Sequence, residues 1–264
     1  MRITDAQVHV WEVHREEPAP HTFPLATLEN ELSAASVQRA VLIPTSFKGY
    51  DVDAANEYTL QKCAAQPGKY STILLIDPKR PDEADRVTQL AKRPGMKGFR
   101  LNRFAGKLED LDALFAVAVN LDLPVAVLVN RGTIDTLPAM LERHPGVTFL
   151  LDHVALPAEG PDPWADFDKV LGVAKHKNLI VKSSSISRWS NDSYPFKDVQ
   201  GYIHRLYDTF GPQRMAWGSD FSWIVGRQPY GEGLDLFRKA CDFLSESDKE
   251  WILDKTLSRA MKWD

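Results

Sequence analysis

Three ionisable side chains stand at the ends of strand-like runs. His9 ends Asp5-Ala6-Gln7-Val8-His9, His153 ends Leu150-Leu151-Asp152-His153, and Asp220 follows Trp217-Gly218-Ser219. Two imidazoles and a carboxylate can polarise a carbonyl, take a proton from an attacking water and return it to a leaving group. The same three can hold one divalent ion, with waters completing its shell. Side chains alternate along a strand, so Asp5, Gln7 and His9 share a face and should point into the interior that they help to enclose. Gln7 stands where a further metal ligand would be useful, and a neutral carboxamide is a poor one beside imidazole or carboxylate. Each residue also has a plain structural reading. His153 would then be a satisfied core histidine, Asp220 a helix cap, and Asp5 part of a hydrogen-bonded polar plug.

A second set, which Gln7 and Trp11 are expected to join, suggests substrate binding. Arg100 interrupts the strand-like run Met96-Lys97-Gly98-Phe99-Arg100-Leu101-Asn102 and shares a face with Asn102. A guanidinium fork matches a carboxylate. Arg131 follows the fifth strand-like run and Arg188 lies in the loop after the seventh. Any one of them alone reads as a surface ion-pair residue. Three near strand ends point to a small anionic substrate. Trp11, Phe47, Tyr194 and Trp223 lie near strand exits and would wall a pocket. Lys182, mid-run, is expected to pair with Asp5, and Asp152 to point away from the site and hold backbone.

The elements that must position these groups follow from the pattern of apolar residues. Strands are expected over residues 3–10, 40–44, 71–76, 96–101, 124–129, 147–151, 179–184 and 214–218. Helical patterns lie between them, at 53–65, 82–91, 108–121, 133–143, 164–175 and 196–210. Val125-Ala126-Val127-Leu128-Val129 is apolar throughout, as parallel strands covered on both faces are. Eight such units in about 260 residues point to a single α/β domain, a closed (β/α)8 TIM barrel. The irregular stretches 14–24, 47–52, 156–163 and 185–195 all follow strands, so they belong to the C-terminal mouth, where barrels carry their chemistry. Beyond Gly231, two or three helices are expected to pack on the outside.

Composition excludes several classes. The chain has 264 residues, an apolar fraction of 44% and a net charge of −4 with both signs interspersed. A nucleic-acid partner would favour a basic patch. No apolar run approaches the roughly 18 residues of a membrane span. Cys63 and Cys241 lie far apart with no metal or redox spacing, which fits buried free thiols and a cytoplasmic location. A homodimer is the default expectation for assembly.

The stretch from Asp5 to Trp11, Lys97-Gly98-Phe99-Arg100-Leu101-Asn102, Leu151-Asp152-His153 and Trp217-Gly218-Ser219-Asp220-Phe221 resemble the amidohydrolase 2 branch of the amidohydrolase superfamily. Within it the chain is most similar to lactone-processing enzymes of the pyrone-dicarboxylate lactonase, fuconolactonase, sulfomuconolactone hydrolase and galactarolactone isomerase types. The resemblance covers essentially the whole chain. It implies a distorted TIM barrel that opens cyclic esters, with Asp220 handling the water, His9 and His153 on the carbonyl, and Arg100 gripping a carboxylate. Arg188 corresponds more loosely. The departure is Gln7, where typical members carry histidine. In this respect the chain resembles the galactarolactone isomerase type, which needs no metal. A metal-free site is therefore favoured over one Zn²⁺ or Mn²⁺ on His9, His153 and Asp220.

The expected activity is hydrolysis of a small carboxylated lactone by Asp-assisted water attack. The alternatives are isomerisation of a lactone ring, metal-dependent decarboxylation, or a barrel that binds ligand without turning it over.

Overall fold

The computed structural model describes residues 1–12, 22–45, 51–102, 106–157 and 162–263. Its centre is a parallel eight-stranded sheet in chain order. The strands are β1 (Thr4–Val8), β2 (Arg39–Leu42), β3 (Tyr70–Leu75), β4 (Met96–Asn102), β5 (Val125–Leu128), β6 (Phe149–Leu151), β7 (Leu179–Ser184) and β8 (Met215–Gly218). The sheet curls until its ends meet. Val8 bridges Phe221, and the Asp220 N–H donates to the Gln7 carbonyl at 2.9 Å. The expected (β/α)8 barrel is the fold.

A helix follows each strand: α1 (Leu25–Ala35), α2 (Val52–Ala65), α3 (Glu83–Leu90), α4 (Asp112–Leu121), α5 (Leu137–Arg143), α6 (Phe167–Gly172), α7 (Lys197–Phe210) and α8 (Tyr230–Asp235). α1 was not singled out in the sequence, yet Leu25, Leu28, Leu32 and Ala35 bury one stripe at helical spacing. Outward strand residues such as Leu42, Val127 and Trp217 pack in one core with Leu28 and Phe115 from the helices. Inward residues form a separate, smaller core from Ala6, Val41, Ile73, Ala126, Leu150, Ile180 and Ala216. Into this inner core come Leu257 and Met261 of a C-terminal helix, α9 (Thr256–Met261), and Trp263. The end of the tail thus seals the barrel from below, where packing on the outside was expected. The Arg39 guanidinium, at the start of β2, donates to the Trp263 carbonyl at 2.8 Å and fixes this seal.

β1 departs from simple alternation. Asp5 pairs with Ala40 and Val8 with Leu42, so β1 spends one more residue than β2 between them. This is a β-bulge, which re-aims side chains. Ala6 faces the inner core, while Val8 and Val10 face the helices. Asp5 turns toward α8, where its Oδ2 accepts from the Tyr230 hydroxyl at 2.8 Å. The expected inward face of Asp5, Gln7 and His9 is therefore corrected: Gln7 and His9 keep it, and Asp5 leaves it.

Cys63 and Cys241 are buried and unpaired, and burial pushes both thiols up to about 12. Among the described residues no helix is long and apolar enough to cross a membrane.

Candidate active site

The ends of the strands enclose a cavity of about 360 Å³, lined by His9, Thr45, Arg100, Asn102, Leu128, His153, Arg188, Asp220 and Trp223 among others. His9, His153 and Asp220, far apart in sequence, meet at one rim of the barrel.

His9 is held on both ring nitrogens. Its Nδ1 lies 2.9 Å from the Ile43 carbonyl and 3.3 Å from Thr45 Oγ1. A carbonyl only accepts, so the proton sits on Nδ1. Its Nε2 lies 3.1 Å from Gln7 Nε2. The Gln7 carboxamide is oriented by Lys182, whose ammonium donates to Gln7 Oε1. The amide oxygen faces the cation, so the NH₂ faces His9, and His9 Nε2 is an acceptor.

Lys182 does not meet Asp5. It donates to Asp152 Oδ1 at 2.8 Å, and Arg100 Nε donates to Asp152 Oδ2 at 2.6 Å. Asp152, expected to face away, is instead the buried anion of the barrel interior, with neither it nor Lys182 exposed. Alternation itself puts it there: Leu150 faces the inner core while Phe149 and Leu151 face the helices, so Asp152 continues the inward face, the opposite of the assignment expected for this strand. The residue that departs from alternation is His153, which would face outward with Leu151; positive φ at His153, Val154 and Ala155 accompanies its turn toward the cavity. Burial alone would raise the Asp152 carboxyl, but Lys182 and Arg100 outweigh it and hold the group below its ordinary value.

His153 Nδ1 lies 2.9 Å from Ser184 Oγ, which also accepts the His153 backbone N–H at 3.3 Å. Burial holds the ring below its usual pKa, against the pull of Asp220 and Asp152, and so favours neutral imidazole. Asp220 is buried, with Oδ1 3.3 Å from His9 Nε2 and Oδ2 4.0 Å from His153 Nδ1 and 3.9 Å from Arg188 Nη1. Burial would raise its carboxyl. Arg188, and His153 and His9 whenever either carries a second proton, outweigh burial and hold the carboxyl below its ordinary value. Among the described residues Oδ1 has no partner in hydrogen-bonding geometry. Asp220 and His153 share positive φ, near 61° and 55°. Such backbone is costly for non-glycine residues and collects at functional sites.

Other expected binding residues lie elsewhere. Arg131 is buried away from the cavity. Its guanidinium donates to the Val154 carbonyl at 3.4 Å and to the Pro163 carbonyl, and lies over the Trp164 ring. It braces the segment after β6. Burial lowers its pKa to about 10. Trp11 is fully buried, edge-on to Phe23 and behind Trp223, which faces the cavity in its place. Gln7 lies beneath His9. Arg100, Asn102 and Arg188 reach the cavity as expected. Tyr194 lines a neighbouring cavity that shares Arg188. Phe47 and most of the 14–24 loop fall outside the described residues. Sequence reasoning missed Thr45 and Ser184. A hydroxyl run at a strand end, Ser183-Ser184-Ser185, was a visible signal for the second; Thr45 offered none.

A divalent ion between His9, His153 and Asp220 needs a lone pair from each. The His9 Nε2 lone pair that faces Asp220 takes an amide N–H, which leaves His153 and Asp220 as the two free donors of the three. Among the described residues no group of three His, Cys, Asp or Glu side chains is arranged to hold a metal. The donor set does not fit a resident ion.

Comparison with known proteins agrees with this architecture. The chain is 26% identical to an L-fucono-1,5-lactonase from Burkholderia ambifaria over 90% of its own length and 87% of the relative's. A Burkholderia multivorans amidohydrolase crystallised with zinc superposes with a TM-score of 0.83 at 18% identity, over 100% of both chains. A Pseudomonas putida structure, provisionally named a 2-pyrone-4,6-dicarboxylic acid hydrolase, gives 0.82 at 21%, over 100% of this chain and 98% of that one. The structural likenesses carry the fold. The amidohydrolase family profile matches residues 4–256, and on that match the chain belongs to the amidohydrolase family.

Proposed function

We propose that this protein hydrolyses the ring ester of a small carboxylated lactone, and does so without a resident metal ion. The observation that carries the reading is Asp220: an ionised, buried carboxylate whose Oδ1 has no hydrogen-bond partner among the described residues and borders a cavity with two guanidinium groups. Arg100 and Arg188 hold the substrate carboxylate and face the charge that develops on the ring carbonyl. A water at Asp220 Oδ1 gives its proton to the carboxylate as its oxygen adds to the carbonyl carbon. The new acid is 3.3 Å from the His9 Nε2 lone pair, which can accept its hydrogen bond. Ser184 donating to His153 Nδ1 leaves the His153 proton on Nε2, where it polarises the carbonyl oxygen. When the tetrahedral adduct collapses, the bond to the ring oxygen breaks and Asp220 returns its proton there. The product is an open hydroxy acid. The likeness to an L-fucono-1,5-lactonase supports a cyclic ester.

The test is a panel of carboxylated lactones followed by acid release, with native protein and Asp220→Asn. The variant should keep its circular dichroism and lose about 10²–10⁴-fold in kcat. Near-native turnover would remove Asp220 as the base. An isomeric lactone as product, with no acid released, would replace hydrolysis by ring isomerisation.

A further inference from the structure

We propose that Gln7, clamped by Lys182, keeps a divalent ion out of this site and holds His9 as a proton acceptor beside Asp220. Gln7 and Lys182 are positioning residues: both act through His9. The inference rests on the metal-free reading above. It does not depend on which ester is cleaved.

The argument is one of donors and acceptors. An ammonium has only protons to offer. Lys182 spends two of them on Asp152 Oδ1 and Gln7 Oε1. Rotating the carboxamide would set its NH₂ against the ammonium, two donors in contact at a site with no water-exposed surface. Asp152 is itself fixed by Arg100. A buried chain thus runs Arg100–Asp152–Lys182–Gln7–His9, and its last link is an amide proton aimed at the one His9 lone pair that faces Asp220. The other nitrogen is assigned by the Ile43 carbonyl. An incoming ion would meet an N–H where it needs a lone pair. It would also enter a place where, among the described residues, Arg100, Lys182 and Arg188 pair with two carboxylates, Asp152 and Asp220. The same excess of positive charge suits an anionic substrate.

A glutamate at position 7 reverses this logic. One carboxylate oxygen keeps the Lys182 contact. The other replaces the NH₂ and joins His9 and Asp220 as a ligand.

Zinc alone is the probe, on the complete chain stripped of metal. Native protein should retain no stoichiometric zinc after dialysis. Gln7→Glu should retain one zinc per chain, with affinity at least about 100-fold above native. One tightly held zinc on native protein, or equal zinc affinity for the two, overturns the proposal. A second readout needs no change at position 7. In ¹⁵N spectra of native protein, His9, identified by its loss in His9→Gln, should carry its proton on Nδ1 with Nε2 bare. Lys182→Met frees the carboxamide and should shift the Nε2 resonance, which loses its fixed amide donor, while Nδ1 keeps its proton on the Ile43 carbonyl. A native His9 protonated on Nε2, or one unchanged in Lys182→Met, also overturns it. Neither readout involves turnover, so failure of the lactonase assay leaves this inference standing, and the reverse.

Discussion

Asp5→Asn tests how the barrel seam supports the site. Asp5 is fully buried. Its Oδ1 accepts the backbone N–H of Gln7 at 3.1 Å and of Ser219 at 2.9 Å, and its Oδ2 accepts from Tyr230. One carboxylate thus pins the β1 bulge to the turn that presents Asp220. Burial is the larger effect, however, and raises this carboxyl from 3.8 to about 6. The folded state therefore binds the Asp5 proton more tightly than the unfolded chain. Stability should fall as pH rises from about 4 to about 6, and the whole penalty is present above that window. At 1.36 kcal/mol per unit, the rise corresponds to about 3 kcal/mol, an upper bound. Asparagine cannot ionise. Its Oδ1 keeps both backbone contacts and its NH₂ can donate to the Tyr230 oxygen, leaving one amide proton and the Tyr230 hydroxyl proton without their acceptor, at roughly 1–2 kcal/mol together. Asp5→Asn should therefore be less stable than native protein at pH 4 and more stable, by about 1–2 kcal/mol, at pH 8. Urea unfolding of both proteins across this range reads the difference. A difference that stays constant from pH 4 to pH 8 refutes the burial argument, because it means that Asp5 titrates alike in both states.

Two further outcomes follow from the same geometry. Arg188→Leu removes a cation 3.9 Å from Asp220, so KM for an anionic lactone should rise about 10–100-fold and the acid limb of the pH–rate profile should move to higher pH; an unmoved limb with native KM separates Arg188 from the site. Gly98→Ala would place a methyl group 2.6 Å from the Pro124 carbonyl, and should lower stability by about 1–3 kcal/mol in thermal unfolding; a native melting temperature would show that β4 and β5 can part locally.

The barrel was legible because its signal is redundant. Eight apolar runs each have the composition that two covered faces demand, and an error of a residue or two at any end leaves the count unchanged. The rim was legible for the same reason: His9, His153 and Asp220 needed only to follow strands. What alternation could not give was which way a residue faces once the strand is irregular. The bulge in β1 sends Asp5 outward, and the left-handed backbone from His153 to Ala155 brings His153 to the cavity while Asp152 follows Leu150 inward. Each error fed the other, because Lys182 needs an anion and Asp5 was the one that periodicity supplied. Arg131 failed differently. A guanidinium near a strand end can reach into the mouth or back into the loop, and Trp164, which it lies against, comes from a segment 33 positions later. Nothing local to Arg131 encodes that choice.

These misplacements share a cause that bears on how the site works. A barrel interior packs well when filled with branched apolar residues, and here the lower layers are apolar, closed by Leu257, Met261 and Trp263. Above them, Arg100, Asp152, Lys182 and Gln7 occupy positions that Val or Leu would fill at less cost in desolvation. Their mutual contacts largely offset that cost, so they could be dismissed as structural were it not for where the chain of contacts ends. It does not close on itself. It terminates on an imidazole lone pair beside a carboxylate oxygen that has no hydrogen-bond partner among the described residues, at the cavity. A polar layer that served only packing would satisfy its last member within the layer. This one delivers a fixed donor to His9 and gives Asp220 Oδ1 no hydrogen bond from within the layer, an arrangement expected of a layer whose task is to set the protonation of the groups above it.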